Sequence, residues 1–228
     1  YVDKIISWHE KELNKYMFTY NPHGDRIAPG HWGRNSNSLL SDFYWKILKV
    51  EPDDFFIEKL EPNKTIKDYI ETLSNIVIVH TTGGDPDFRT YQYMGDVCKN
   101  LIKMGYIPVQ VGSKNDYPAE AGLNLTGKLS FRETAWVVSK AKAAVTVDSF
   151  ISHLVGALGV PQVCLFGSGN HNVVKPNQMY GELICMIPDY VNDCIGLGPC
   201  SAAVRDCPLP CTGRHDPKEV SNNLRRLL

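Results

Sequence analysis

Ala143-Ala144-Val145-Thr146-Val147 runs directly into Asp148-Ser149-Phe150-Ile151-Ser152-His153, and this is the stretch from which the fold is read. The short apolar run fits a strand buried on both faces. A carboxylate closes it and a helix starts at once. The free N–H groups of the first helical turn, with the positive end of the helix dipole, then face the space beyond the strand's carboxyl end. That arrangement is a ready anion site. His153 falls within the first turn, where it could donate to a diphosphate. A plainer alternative stands beside this one, in which Asp148 only caps the helix and His153 is structural.

Working outward, the same strand-then-helix alternation recurs. Ile76-Val77-Ile78-Val79 is a second continuous apolar run, and Met94, Val97, Cys98, Leu101 and Ile102 share one face of a helix over 92–104 that Gly105 stops. A strand follows from Ile107 to Val111. Ser130-Phe131-Arg132-Glu133 is a capping box opening a helix that reaches about Ala141. A helix over 151–158 ends at Gly159 and Pro161, and strands follow at Val163 to Phe166 and Leu183 to Ile187. The last helix opens with Asp216 as cap, Pro217 at its first position and Glu219 completing a box. Such alternation predicts an α/β fold with a Rossmann-like parallel sheet and helices on both faces. Ligands of such sheets sit at the carboxyl ends of the strands.

Function is therefore expected in the loops after Val79, Val111, Val147 and Phe166. The first, His80 to Arg89, carries Thr81, Thr82, Gly83 and Gly84. Paired glycines let backbone approach a phosphate, the hydroxyls can donate to it, and Arg89 can grip it bidentately. A Gly-rich turn with a solvated Arg is the competing reading. The second loop, Gly112-Ser113-Lys114-Asn115-Asp116, is placed to meet a ribose or base, or is a plain turn. The fourth, Gly167 to Asn172, is small and polar enough to wrap a ligand.

The first sixty residues read differently. Val2, Ile5, Ile6, His9, Leu13, Tyr16, Met17 and Tyr20 have helical spacing, residues 21–37 read as a loop, and a second helix covers 38–49. Glu51-Pro52-Asp53-Asp54 breaks it, and a charged, Pro-containing linker runs from Glu58 to Lys67. The expected division is a remnant of another domain at 1–62 and a ligand-binding domain at 63–228. His31, Arg34 and Asn35 fall in the 21–37 loop and could reach a ligand, with a solvated loop as the plainer view. A start at Tyr1 within a helical pattern suggests an excised piece. A formal net charge of −1 gives no general attraction to nucleic acid or anionic membrane. No apolar run approaches the ~18 residues of a membrane span. Nothing reads as a signal peptide, so Asn63-Lys64-Thr65 and Asn124-Leu125-Thr126 are read as chance matches to the glycosylation pattern.

Seven cysteines is an odd number, which argues against a fully paired secreted framework. Cys194, Cys200, Cys207 and Cys211 cluster with C-x5-C-x6-C-x3-C spacing. Three readings compete: tetrahedral zinc or iron, two disulfides, or free thiols. Cys98, Cys164 and Cys185 fall on apolar faces and are expected in the core.

Taken in order, Asn124-Leu125-Thr126-Gly127-Lys128, Ser130-Phe131-Arg132-Glu133, Val147-Asp148-Ser149, His153, Ala157-Leu158-Gly159-Val160-Pro161 and Leu165-Phe166-Gly167 resemble glycosyltransferase family 9, the lipopolysaccharide heptosyltransferases. The resemblance runs from about Asn75 to the C-terminus. It implies a two-domain (GT-B) enzyme that transfers heptose or a related sugar, with inversion, from a nucleoside-diphosphate sugar, ADP-linked by preference, to a glycan or protein acceptor. On this match Ser149, Phe150 and Ile151 offer backbone donors to the diphosphate, Asp148 faces the transferred sugar, and His153 fixes the turn or the phosphate. Thr82, Gly83, Gly84 and Arg89 match the phosphate-side loop, and Thr126, Gly127, Lys128 and Leu129 the stretch beside the nucleobase. Phe150 stands where the family has glycine, which narrows the sugar's place. The catalytic base belongs to the start of the N-terminal domain, so none is assigned. No cofactor is implied for the chemistry. A structural metal at the cysteine cluster is implied by similar iron-bound autotransporter heptosyltransferases. The setting implied is cytoplasmic or peripheral at the inner membrane, with homo-oligomers allowed. Rival readings are a non-catalytic nucleotide- or partner-binding protein, a sugar-nucleotide epimerase, and a dinucleotide oxidoreductase. The last is weakened by the absence of G-x-G-x-x-G after Val79.

Overall fold

The computed structural model describes residues 62–84, 86–167, 171–188 and 211–228. The helices expected at 1–20 and 38–49, His31, Arg34, Asn35, and Cys194, Cys200 and Cys207 lie outside the described residues. Within them the chain runs α1 (Lys64–Glu71), β1 (Ile76–Val79), α2 (Pro86–Arg89), α3 (Met94–Lys103), β2 (Ile107–Gln110), β3 (Leu123–Asn124), α4 (Phe131–Ser139), β4 (Ala143–Val147), α5 (Phe150–Ala157), β5 (Gln162–Leu165), α6 (His171–Val174) and β6 (Leu183–Met186). A 3-10 turn (Cys211–Arg214) and α7 (Pro217–Arg225) close it.

The strands form one sheet in the order β3-β2-β1-β4-β5-β6, and every pairing is parallel. All residues of β1 and β4 are buried because helices cover both faces. Successive side chains alternate between those faces. Val77, Val79, Val145 and Val147 pack with Met94, Leu101, Val220 and Leu224 of α3 and α7. Ile76, Ile78 and Ala144 pack with Ile70, Trp136, Val137, Leu154 and Val155 of α1, α4 and α5. Pro108, with no N–H to give, sits in β2 one residue before the two-residue pairing with β3 begins.

Most expected elements are present within a residue or two. Ser130 and Glu133 form the full capping box of α4, each side chain bonding the other's backbone N–H. Two readings are corrected, and one strand is added. The linker expected through Lys67 gives way to α1 at Lys64, because Asn63 caps it by accepting the Ile66 N–H at 3.0 Å. The Asn63 amide also bonds the Glu133 carboxylate, tying α1 to the start of α4. At α7, Asp216 accepts the Lys218 N–H at 2.8 Å, one residue short of the position a box with Glu219 requires. Finally, β3 was hidden from sequence because a two-residue strand carries no period. Cys98 and Cys164 are in the core as expected, and Cys185 is half-buried.

His215 fastens the C-terminal segment to the sheet. Its Nε2 lies 2.8 Å from the Phe166 carbonyl oxygen, and the Tyr91 hydroxyl donates to the His215 carbonyl at 2.9 Å. Burial holds this imidazole below its ordinary pKa, with the Phe166 carbonyl and Glu219 pulling weakly the other way. A depressed histidine contributes stability above its unfolded pKa of about 6.5, and that stability is lost as pH falls through and below that value. Melting temperature should therefore be flat above about pH 7.5 and decline from about pH 6.5 downward, with this histidine supplying at most ~1.4 kcal/mol per pH unit. His215→Gln should start less stable and show the shallower decline; an unchanged slope in that variant would assign the effect to other groups.

Candidate functional site

The chain winds away from β1 in one direction through β2 and away from β4 in the other through β5, so among the described residues no helix covers the crevice between their carboxyl ends. A cleft of about 350 Å³ opens there. Its walls are His80, Thr82, Gly83 and Gly84 after β1, Gly112, Ser113 and Asp116 after β2, Leu129, Phe131 and Thr134 at α4, and Ser149, Phe150 and Ile151 at α5.

At the α5 end, Ser149 is the extended N-cap residue. The Ser152 hydroxyl serves the turn, donating to the Ser149 carbonyl at 2.7 Å and accepting the Ser149 N–H at 3.4 Å. Among the described residues the Ser149 hydroxyl is buried and has no hydrogen-bond partner. A buried hydroxyl left unbonded is costly. Ser149 itself is on the cleft lining, at the start of α5.

The loop after β1 folds back on itself. Thr82 bridges to Thr90, and the Gly83 N–H donates to the Arg89 carbonyl at 2.9 Å. A Cβ on Gly83 would lie 2.6 Å from the Asp148 carbonyl oxygen and 2.8 Å from the Arg89 Cβ. The missing side chain thus lets the loop press against the end of β4 and brings Arg89 Nη1 to 3.4 Å from Asp148 Oδ2. Asp148 is only 7% exposed. Burial raises its carboxyl pKa despite the opposing pull of Arg89 and His153. His153 is at the surface, and its crowded surroundings lower its pKa while Asp148 pulls it up. The Arg89 side chain remains 42% exposed and can still meet a ligand.

The structure brings Thr82, Gly83, Gly84, Leu129, Ser149, Phe150 and Ile151 together on the cleft, with Arg89, Asp148 and His153 grouped through charge outside its lining. Thr126, Gly127 and Lys128 are not on the lining. Lys128 Nζ donates to the Asn124 carbonyl at 2.7 Å, the Thr126 hydroxyl to Asn124 Oδ1 at 2.6 Å, and Gly127 presses on Lys114. Gly167 faces Thr212 and Cys211 across the 3-10 turn, and is not part of the cleft lining. Of the four clustered cysteines only Cys211 is described, and it is buried. The described residues contain no group of three metal-ligating side chains.

Sequence reasoning did not single out His80 and Asp116. His80 is buried with Nδ1 3.0 Å from the Val111 carbonyl oxygen and 3.5 Å from Asp116 Oδ2. Asp116 also accepts the Ser113 N–H at 3.1 Å. Burial lowers the histidine's pKa and raises the aspartate's, each partner opposing the shift of the other. Gly112, at φ +139°, makes room: a Cβ there would lie 2.0 Å from Asp116 Oδ2. The available signal was a polar residue placed directly after a wholly buried strand.

Sheet order and switch point define a Rossmann-like α/β domain. Its particular likeness is to the heptosyltransferases: the model of glycosyltransferase family 9 (heptosyltransferase) matches residues 110–189. Lipopolysaccharide heptosyltransferase 2 of Salmonella typhimurium is 30% identical over 115 residues, 44% of this chain and 32% of that protein, and the Escherichia coli protein of the same name matches equally. Among solved structures, E. coli ADP-heptose lps heptosyltransferase II superposes with a TM-score of 0.58 at 19% identity, covering 78% of this chain and 55% of that one. The iron-containing dodecameric glycosyltransferase TibC from enterotoxigenic E. coli gives 0.64 at 18%, covering 91% and 57%. The described residues therefore have a family 9 heptosyltransferase-like fold, and the match spans about a third of the length of the curated relatives. No helix among the described residues is long and apolar enough to cross a membrane.

Gly83→Ala forces backbone apart at the β1–β4 crevice, and overpacking of this kind costs about 1–3 kcal/mol. Gly84→Ala, with nothing within 4 Å of the added atom, should melt within a degree or two of the parent. Equal melting of the two variants would show that the close approach at Gly83 is not required.

Proposed function

We propose that this chain supplies the donor-binding half of an inverting heptosyltransferase-type glycosyltransferase that uses a nucleoside-diphosphate sugar, with residues 1–62 as the tail of the acceptor-side domain. The observation that carries the reading is the start of α5, where Ser149, Phe150 and Ile151 line the switch-point cleft with Arg89 held against Gly83 on the facing loop. The names of the relatives, which include ADP-heptose transfer, support heptose and ADP as the donor's parts.

The diphosphate lies at the first turn of α5, held by its N–H groups, the Ser149 hydroxyl and Arg89. His80, Ser113 and Asp116 face the ribose side. Asp148 orients the transferred sugar, kept in place by its pairing with Arg89 and its burial. An acceptor hydroxyl on a glycan or protein attacks the anomeric carbon, a carboxylate of the N-terminal domain takes its proton, and the diphosphate leaves with its negative charge met by Arg89 and the helix start. The setting is cytoplasmic, and self-association in the manner of the dodecameric neighbour is compatible with the reading.

Thermal stabilisation by ADP, GDP, UDP, CMP and NAD tests this. A diphosphate nucleotide at about a hundred times its dissociation constant should add roughly 2.7 kcal/mol, read as a rise on the order of 5–10 °C for a domain of this size. Arg89→Ala should weaken that nucleotide by at least about tenfold, the scale of one charged hydrogen bond. Stabilisation by NAD alone would replace the transferase reading with a dinucleotide enzyme.

The same reading gives Cys194, Cys200, Cys207 and Cys211 a structural iron or zinc with no part in transfer. Elemental analysis of the purified chain should find about one metal ion per chain, and none in a Cys200→Ser, Cys207→Ser double variant. A metal-free chain with two intact disulfides would exclude it.

A further inference from the structure

Gln110 closes β2 and is only 2% exposed, a polar side chain at the end of an otherwise apolar strand. Its partners lie in two different loops. Its amide nitrogen donates to the Thr81 hydroxyl at 3.2 Å and to the Tyr117 carbonyl at 2.8 Å, and its amide oxygen accepts the Ala119 N–H at 2.9 Å. The Thr81 hydroxyl, itself fully buried, donates to the same Tyr117 carbonyl at 2.6 Å. With that hydrogen committed, the Thr82 hydroxyl at 3.3 Å donates to Thr81, and it accepts the Tyr117 N–H at 2.9 Å. The network is closed, and breaking any one of its bonds leaves a buried polar group unpaired.

Neither Gln110 nor Thr81 is on the cleft lining, but the segment they hold is. Gly112, Ser113 and Asp116 form the wall after β2 and lead into Tyr117. At its near end that segment is fastened by His80, whose Nδ1 lies 3.0 Å from the Val111 carbonyl oxygen, and at its far end by the bonds to Tyr117 and Ala119. The spacing between the walls after β1 and β2 is thus set before any ligand arrives, which lowers the ordering cost of binding. We propose that Gln110 and Thr81 are positioning residues: they hold in place the wall that meets the nucleoside side of the donor, and touch no part of the donor themselves. The inference rests on the proposed function and deepens it. It also gives the Thr81 hydroxyl a task other than the phosphate contact that its place in the loop after β1 suggests. Phosphates at the start of α5 need none of these bonds, whereas a nucleoside must fit against Ser113 and Asp116. The network therefore matters to a nucleoside diphosphate and not to a bare diphosphate.

Isothermal titration of the 228-residue chain with ADP and inorganic pyrophosphate tests the assignment. Losing one buried bond lowers the fraction of chains with the wall in place, and the apparent dissociation constant rises by the inverse of that fraction. Thr81→Val and Gln110→Leu should each weaken ADP by roughly fivefold or more, the lower end for leaving one buried group unpaired. Pyrophosphate in both variants, and ADP in Thr81→Ser, should stay within about twofold of the parent, as for groups that share no partner. In the unliganded parent the Tyr117 and Ala119 amides should exchange hydrogen at least about a hundredfold more slowly than in an unstructured peptide. Rapid exchange there, or ADP affinity that both variants keep, would overturn the positioning role. An equal loss of ADP and pyrophosphate in Thr81→Val would make that hydroxyl a phosphate contact, overturning the role and leaving the donor-domain reading standing. Binding of neither ligand by the parent chain would overturn both readings together.

Discussion

Everything at this site depends on the parallel pairing of β1 with β4. The pairing continues past the end of β1, where the His80 N–H donates to the Val145 carbonyl at 2.9 Å. The loop that follows is therefore anchored by sheet bonds to its first residue. On the other side Val111 N–H donates to Val79 at 3.2 Å, so the second loop departs from an equally firm edge. Two buried strands with opposite onward winding leave a gap that helices cannot fill. Gly83 and Gly112 then decide how closely the loops enclose it, because each sits where a Cβ would collide with a neighbour.

Burial governs the electrostatics of that gap. Asp148 and Asp116 are pushed toward their protonated forms and His80 toward its neutral one. The ionisable groups nearest the sheet thus resist carrying charge, while Arg89 reaches over them from a half-exposed position. The Thr82 hydroxyl is engaged within the loop, accepting the Tyr117 N–H at 2.9 Å and lying 3.3 Å from the Thr81 hydroxyl, which donates to the Tyr117 carbonyl.

The sheet was legible in the sequence because strands buried on both faces appear as unbroken apolar runs, as at Ile76–Val79 and Ala143–Val147. The α4 start was equally legible, since a capping box is written in two residues. Elements whose existence depends on a distant partner were not. Asn63 caps a helix and bonds Glu133 seventy positions on, and the linker composition around it gave no sign of this. The strand-end loops were located correctly, but which side chains line the cleft was only half readable. Thr126 and Lys128 looked available and are engaged with Asn124. His80 and Asp116 looked ordinary and meet across 36 positions of chain because Gly112 lets them.

The Asn63–Glu133 bond has a mechanical side. Glu133 belongs to the first turn of α4, the turn that also presents Phe131 to the cleft. Asn63 stands at the head of a two-turn helix whose Ile70 is packed into the core. Residue 63 is thus joined directly to the turn that carries Phe131, as well as to the sheet through α1.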